Sequence, residues 1–163
     1  MTEFQNGAST TSKHRASKRI EIVSLRMVRE KTSLLYPNRT IRKPEDAAEL
    51  FRQFIGDCDR ESFCILCLNT KNEPTALHQV SCGTLNASLV HPRETFKLAI
   101  LANSASIIAC HNHPSGEPTP SSEDIELTKR LKESGALLGI ELLDHIILGD
   151  GTFASLKERG LGF

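Results

Sequence analysis

The stretch that most constrains the fold is Ser104 to Cys110, "SASIIAC", which reads as a short strand buried on both faces. Successive side chains of a strand point to opposite faces, so apolar residues on both require cover on both. The run passes straight into "HNHPSGEPTPSSED", residues 111 to 124, where two histidines one residue apart precede a loop stiffened and bent by Pro114, Gly116, Pro118 and Pro120. The histidines are thus delivered at a strand end, where loops carry reactive groups on a rigid support.

The remaining pattern supplies the cover. Pro44 opens "PEDAAELFRQFIG", with acids in the first turn and Ala47, Leu50, Phe51 and Phe54 at helical spacing, and Gly56 closes it as a helix. Phe63 to Leu68 and Thr75 to Cys82, joined by the turn "NTKNEP", read as an antiparallel hairpin. Pro92 starts a second helix, "PRETFKLAILAN", with Phe96, Ala99 and Ile100 as its apolar face. A third helix is expected from Ser122 to Ser134, stopped by Gly135, and "IELLDHIILG" reads as a final strand. Arg19 to Val28, with Ile20, Ile22 and Val28 among charged neighbours, reads as one more strand. The alternation lacks the even rhythm and Gly-rich turn of a dinucleotide fold. The expected class is α/β of the mixed α+β kind, a three-layer arrangement with a mixed central β-sheet flanked by helices.

At 163 residues the chain is long enough for one core of ordinary size. Residues 1–18 are polar and rich in Ser and Thr, and are expected to be a disordered basic arm preceding a domain over residues 19–163. Residues 1–43 carry ten Lys or Arg against three Glu, a net of +7, and the formally neutral chain therefore has −7 over residues 44–163. A basic arm on an acidic body suits solubility, and it also suits contact with nucleic acid through Lys13, Arg15, Lys18 and Arg19. Five cysteines, an odd count without regular spacing and without an apolar signal segment, point to a reducing cytoplasm. Cys64 and Cys67 form a CxxC within "SFCILCLN", but residues three apart on a strand face opposite ways, so the pair reads as core cysteines. No apolar run is long enough to span a bilayer, and no membrane partner is expected.

The HxH spacing has a direct chemical reading. In extended backbone His111 and His113 leave on the same side and converge, while Asn112 points away. A catalytic zinc with an open position needs a third protein ligand, and Glu117, Glu123, Asp124 and Glu126 are within reach of the loop. Ser121 and Asp124 are also spaced as S-x-x-D, the capping box of an ordinary helix, and spacing alone does not separate the two roles.

The run from His111 to Asp124 fits H-x-H-x7-S-x2-D and resembles the JAMM (MPN-plus) metal-dependent hydrolases, in particular the RadC branch. "GTLNASLVHPRETF" before the motif and "LLDHIILGDGTFASLKERG" after it are similar to RadC-type segments, so the likeness covers about residues 45–160. The resemblance implies the JAB/MPN, cytidine-deaminase-like architecture, with Zn2+ on His111, His113 and Asp124, water in the fourth position, and Ser121 hydrogen-bonded to a developing oxyanion. It also implies a glutamate on an earlier strand that activates the water, a place Glu61 matches. Glu94 in "HPRETF" is the competitor, but a glutamate in a helix's first turn ordinarily serves the helix dipole.

The implied chemistry is amide or isopeptide hydrolysis of a peptide or protein substrate, without a covalent intermediate, with Glu61 moving the proton from water to leaving amine. RadC-type proteins commonly carry a helix-hairpin-helix module ahead of this domain, whereas the 43 residues preceding Pro44 show no paired-helix pattern. A DNA-associated accessory protein without peptidase activity is the alternative, and any DNA contact then rests on the basic arm. His145, in an apolar strand, reads as a hydrogen-bonded structural histidine, although it or Asp144 could support a metal ligand from behind. His78 and His91 read as structural or surface residues, and His14 belongs to the arm. Oligomeric state is not legible.

Overall fold

The computed structural model describes residues 18–32, 34, 36, 38–83 and 90–163. The expected disorder of the arm falls, apart from Lys18, outside the described residues, as do Lys13, His14 and Arg15.

Among the described residues three helices and five strands follow one another as α1 (Pro44–Ile55), β1 (Ser62–Leu68), β2 (Pro74–Cys82), α2 (Pro92–Leu101), β3 (Ser106–Asn112), α3 (Ser122–Leu138), β4 (Glu141–Leu148) and β5 (Phe153–Ser155). The strands form one sheet in the order β2-β1-β3-β4-β5. The β3–β4 pair is parallel and the other three are antiparallel, so the sheet is mixed as expected. The parallel pair requires a crossover, and α3 provides it.

The central strands explain the three layers. All seven residues of β1 and all seven of β3 are buried. On one face Cys64, Leu66, Leu68, Ile108, Cys110 and Ile146 pack with Ala47, Leu50 and Phe51 of α1. On the other, Phe63, Ile65, Cys67, Ile107 and Ala109 pack with Phe96 of α2 and Leu127 and Leu131 of α3. Cys64 and Cys67 therefore belong to opposite cores, and neither is placed for shared ligation. Burial pushes the Cys64 thiol up to about 12, and it raises the Cys67 and Cys110 thiols as well.

Several boundaries differ from expectation for physical reasons. α3 does not stop at Gly135 but runs to Leu138 and ends on Gly139 in left-handed backbone, φ 68°. Gly135 instead marks a close approach, because a Cβ there would lie 2.4 Å from the Ile140 carbonyl oxygen and 3.1 Å from Phe96. Phe54 and Ile100 are exposed rather than buried, each lying at the margin of its helix's apolar face. The strand expected over Arg19 to Val28 is not formed: residues 18–32 have no regular structure and pair with no strand among the described residues, and Ile20, Ile22 and Val28 are exposed. β5 escaped notice because three residues are too few to show a period.

Candidate metal centre

His111 lies inside β3 rather than beyond it, opposite Phe63 of β1 and Ile147 of β4. A residue in the central strand near its carboxyl end is walled in by both neighbours, and His111 is 0% exposed. Its ring stacks against Phe63, with centroids 6.4 Å apart and planes at 21°. His113, two residues on, leaves on the same side, and the two Nε2 atoms approach to 3.0 Å. The His113 backbone N–H donates to Leu148 O at 2.8 Å, extending the parallel ladder one residue past the strand. Its Nδ1 lies 2.8 Å from the Glu117 carbonyl oxygen. A carbonyl only accepts, so the ring proton sits on Nδ1 and Nε2 keeps its lone pair.

The loop between the histidines and α3 is held close by glycines. Gly116 has φ 82°, and its carbonyl accepts from Asp150 N at 2.8 Å. A Cβ on Gly149 would lie 2.4 Å from that carbonyl oxygen, so both glycines are needed for this contact.

α3 opens with Ser121 as N-cap. Ser121 Oγ accepts from Asp124 N at 3.1 Å, while its N–H and hydroxyl donate to Asp124 Oδ2 at 2.8 and 2.7 Å. The cap and ligand readings thus prove compatible, because the cap orients a carboxylate whose Oδ1 is 3.2 Å from His111 Nε2 and whose Oδ2 is 3.6 Å from His113 Nε2. Burial acts to raise the Asp124 carboxyl, but His111 and the Ser121 hydrogen bonds outweigh it and hold the group well below the usual carboxylate range. Among the four acids near the loop, Asp124 is the one brought to the histidines. Glu117, Glu123 and Glu126 are exposed.

The ligand atoms of His111, His113 and Asp124 all lie within 4.8 Å of one another. Two imidazoles and an ionised carboxylate converging on one point form a donor set that attracts a cation. Nitrogen and oxygen ligands of this kind, three in number, match a four-coordinate divalent metal with one position open.

Glu61 immediately precedes β1 at the same end of the sheet. The β1–β3 register, Phe63 opposite His111, places the Glu61 backbone beside the histidines. Its carbonyl accepts from Gly83 N at 2.9 Å. Asn112, whose side chain leaves β3 away from the two histidines, fixes the chain on either side of Glu61. Its Oδ1 accepts from Ser62 N at 2.7 Å and its Nδ2 donates to Arg60 O at 3.0 Å. Glu94 lies in the first turn of α2, where hydrogen bonds and charge from Lys97 and Arg93 lower its carboxyl.

Behind the site, His145 is 0% exposed, with its Nε2 2.9 Å from His111 Nδ1 and its Nδ1 2.6 Å from Thr128 Oγ1. Burial pushes this imidazole well below its ordinary range, so the ring is neutral. Asp144 faces the other way and ties β4 to the residues after it, accepting from Ser155 Oγ at 2.7 Å and Lys157 N at 3.2 Å. His78 and His91 are exposed, as expected, and His91 caps α2 by accepting from Arg93 N at 3.1 Å. Sequence reasoning missed Asn112 and Thr128, which carry no signal of their own. Their significance comes only from which strand or helix lies opposite.

A mixed sheet between helix layers, with a His-His-Asp cluster at the end of a central strand, is consistent with the JAB/MPN class of folds. A family model described as the RadC-like JAB domain matches residues 41–161, and the chain belongs to this family. It is 56% identical over 135 residues to a UPF0758 protein of Shouchella clausii, covering 83% of this chain and 58% of that one. A UPF0758 protein of Desulforamulus reducens is 59% identical over 121 residues, 74% of this chain and 53% of the relative. One from Moorella thermoacetica is 51% identical over 138 residues, 85% and 60% respectively. The chain thus spans between about half and three-fifths of the length of these curated relatives.

Proposed function

We propose that the chain is a zinc-dependent hydrolase of peptide or isopeptide bonds, with His111, His113 and Asp124 as metal ligands, Glu61 as general base and Ser121 as a stabilising hydroxyl. The observation that carries this reading is the convergence of the two imidazoles and the Asp124 carboxylate within 4.8 Å at the strand end that Glu61 adjoins. A bound zinc supplies Lewis acidity, polarising a carbonyl and bringing the pKa of water from about 15.7 toward 7.

The chain's own residues do the rest. Glu61, its backbone clamped on both sides by Asn112, takes a proton from the attacking water and returns it to the leaving nitrogen. Ser121 holds Asp124 through its N–H and hydroxyl. Turning its hydroxyl from Asp124 Oδ2 to a developing oxyanion leaves the N–H bond to keep the carboxylate aimed. The buried floor of Phe63, His111 and His145 excludes bulk water from one side.

The test is cleavage of a library of peptides and isopeptide-linked conjugates by the purified chain, with and without chelator, followed by zinc add-back. Cleavage that chelator abolishes and zinc restores is expected. Stoichiometric zinc with no amide hydrolysis on any substrate favours the accessory-protein reading. That second reading has one observation in its favour: exposed residues 18–32 carry Lys18, Arg19, Arg26, Arg29 and Lys31 against Glu21 and Glu30. Salt-sensitive DNA binding lost on removing residues 1–32 is its expected signature.

A further inference from the structure

Two buried polar side chains outside the ligand set, Thr128 and His145, form a continuous chain between two of the ligands. Thr128 Oγ1 is 2.6 Å from the Asp124 carbonyl oxygen and 2.6 Å from His145 Nδ1. His145 Nε2 is 2.9 Å from His111 Nδ1. Thr128, His145 and His111 are each 0% exposed, so no water competes for the protons. The carbonyl has no proton to give, so the single hydroxyl hydrogen of Thr128 points to Asp124. Thr128 can then only accept from the ring, which puts the His145 proton on Nδ1. A neutral imidazole carries one proton, so His145 Nε2 accepts. The proton between it and His111 therefore belongs to His111 Nδ1, and His111 Nε2, facing His113 and Asp124, is bare.

We propose that His145 and Thr128 are positioning residues that lock His111 into its Nδ1–H tautomer, holding its Nε2 lone pair ready for the cation shared with His113 and Asp124. This rests on the metal reading of the site but not on the identity of the substrate. A fixed partner on the far nitrogen of a ligating imidazole sets both tautomer and ring orientation. The backbone shows how His145 reaches this place. In the β3–β4 ladder Ile107 pairs with Leu142 and Ile108 with Asp144, so Leu143 is an extra residue. Leu142 packs on the α2–α3 side, and strict alternation would send His145 to the α1 side. The bulge turns it back toward His111. Phe63 closes the arrangement, edge-on to His145 with centroids 5.6 Å apart.

The experiment has two arms on the full chain. In the first, long-range 1H–15N correlation spectra of the metal-free protein assign the imidazole protons. A proton on His111 Nδ1 is expected, and one on Nε2 overturns the proposal. In the second, cobalt(II) affinity is measured by chelator competition, and the visible absorption of the bound ion is recorded. His145→Leu removes the acceptor and is expected to weaken binding by about 10- to 100-fold. His145→Gln keeps an acceptor oxygen near the Nε2 position, so its affinity and spectrum should lie nearer wild type. A merely structural role would not produce that rescue. Thr128→Val, close in volume, frees the His145 tautomer and is expected to weaken cobalt binding while Thr128→Ser does not, which decides the matter even where His145→Leu fails to fold. Wild-type affinity in folded His145→Leu or Thr128→Val overturns the proposal. A wild-type chain that binds no cobalt overturns the metal reading and this inference with it, whereas one that binds cobalt but cleaves no amide overturns only the hydrolytic reading.

Discussion

Asp124 does two things with one carboxylate: it closes the capping box of α3 and faces the two histidines. Replacing it with Asn keeps an acceptor for the Ser121 N–H but removes the charge that draws a cation. Asp124→Asn is therefore expected to fold and to lose stoichiometric zinc, read by elemental analysis. Asn112 is tested differently, because it touches the chain on both sides of Glu61 and the ligands not at all. Asn112→Ala leaves the buried Ser62 N–H without its acceptor, a cost of about 1–3 kcal/mol, and removes the donor to the Arg60 carbonyl. Unchanged zinc content with reduced turnover is the expected outcome, and lost zinc would show that Asn112 supports the ligands instead. The cysteines give a third residue-level expectation. Burial raises the Cys64, Cys67 and Cys110 thiols, whereas a hydrogen bond from Ser62 lowers Cys58 and Cys82 is exposed. A thiol reagent should label Cys58 and Cys82 in the native chain and the other three only after unfolding.

At the scale of elements, Gly135 offers a reversal of the usual helix rule. Ala in place of Gly inside a helix ordinarily gains about 1 kcal/mol, but here the added Cβ would sit 2.4 Å from the Ile140 carbonyl oxygen, part of the backbone. Gly135→Ala is expected to destabilise by about 1–3 kcal/mol, the usual cost of overpacking, seen as a lower thermal midpoint. The sequence misreads this position because helix-ending and close-packed glycines look alike until the neighbouring element is known. The same limit explains what else was and was not legible. The strand leading to His111, the hairpin, α1 and α2 all show in local period and punctuation. The His-x-His spacing, with the family resemblance carried by the S-x-x-D box, pointed to the three residues that the structure brings together. The β4 bulge, the Asn112 clamp and the Thr128 contact are non-local, arising from register between strands and from which helix face meets the sheet. The strand expected over residues 19–28 failed for the complementary reason, since an alternating pattern is a strand only where a sheet edge receives it.

Across the whole molecule, stability should respond to pH and metal in defined directions. The buried thiols have folded pKa values raised above the unfolded value of about 8.5, so their contribution is fully present below that pH and is lost as pH rises. Urea midpoints are expected to fall between pH 8 and 10, more steeply for the wild type than for a Cys64→Ala, Cys110→Ala variant. A zinc ion held by the proposed ligands His111, His113 and Asp124 would link the end of β3 to the crossover helix α3. At 100 times its dissociation constant it should add about 2.7 kcal/mol of stability, an increment absent from Asp124→Asn.

The central claim is that this cluster, with Glu61 beside it, hydrolyses amides. The most direct measurement compares zinc-loaded wild type with zinc-loaded Glu61→Gln on the substrate that the wild type cleaves, at equal zinc content per chain. A fall in turnover of about 10² to 10⁴ with zinc retained is the predicted result. Full activity in Glu61→Gln, above all alongside its loss in Glu94→Gln, would contradict the account.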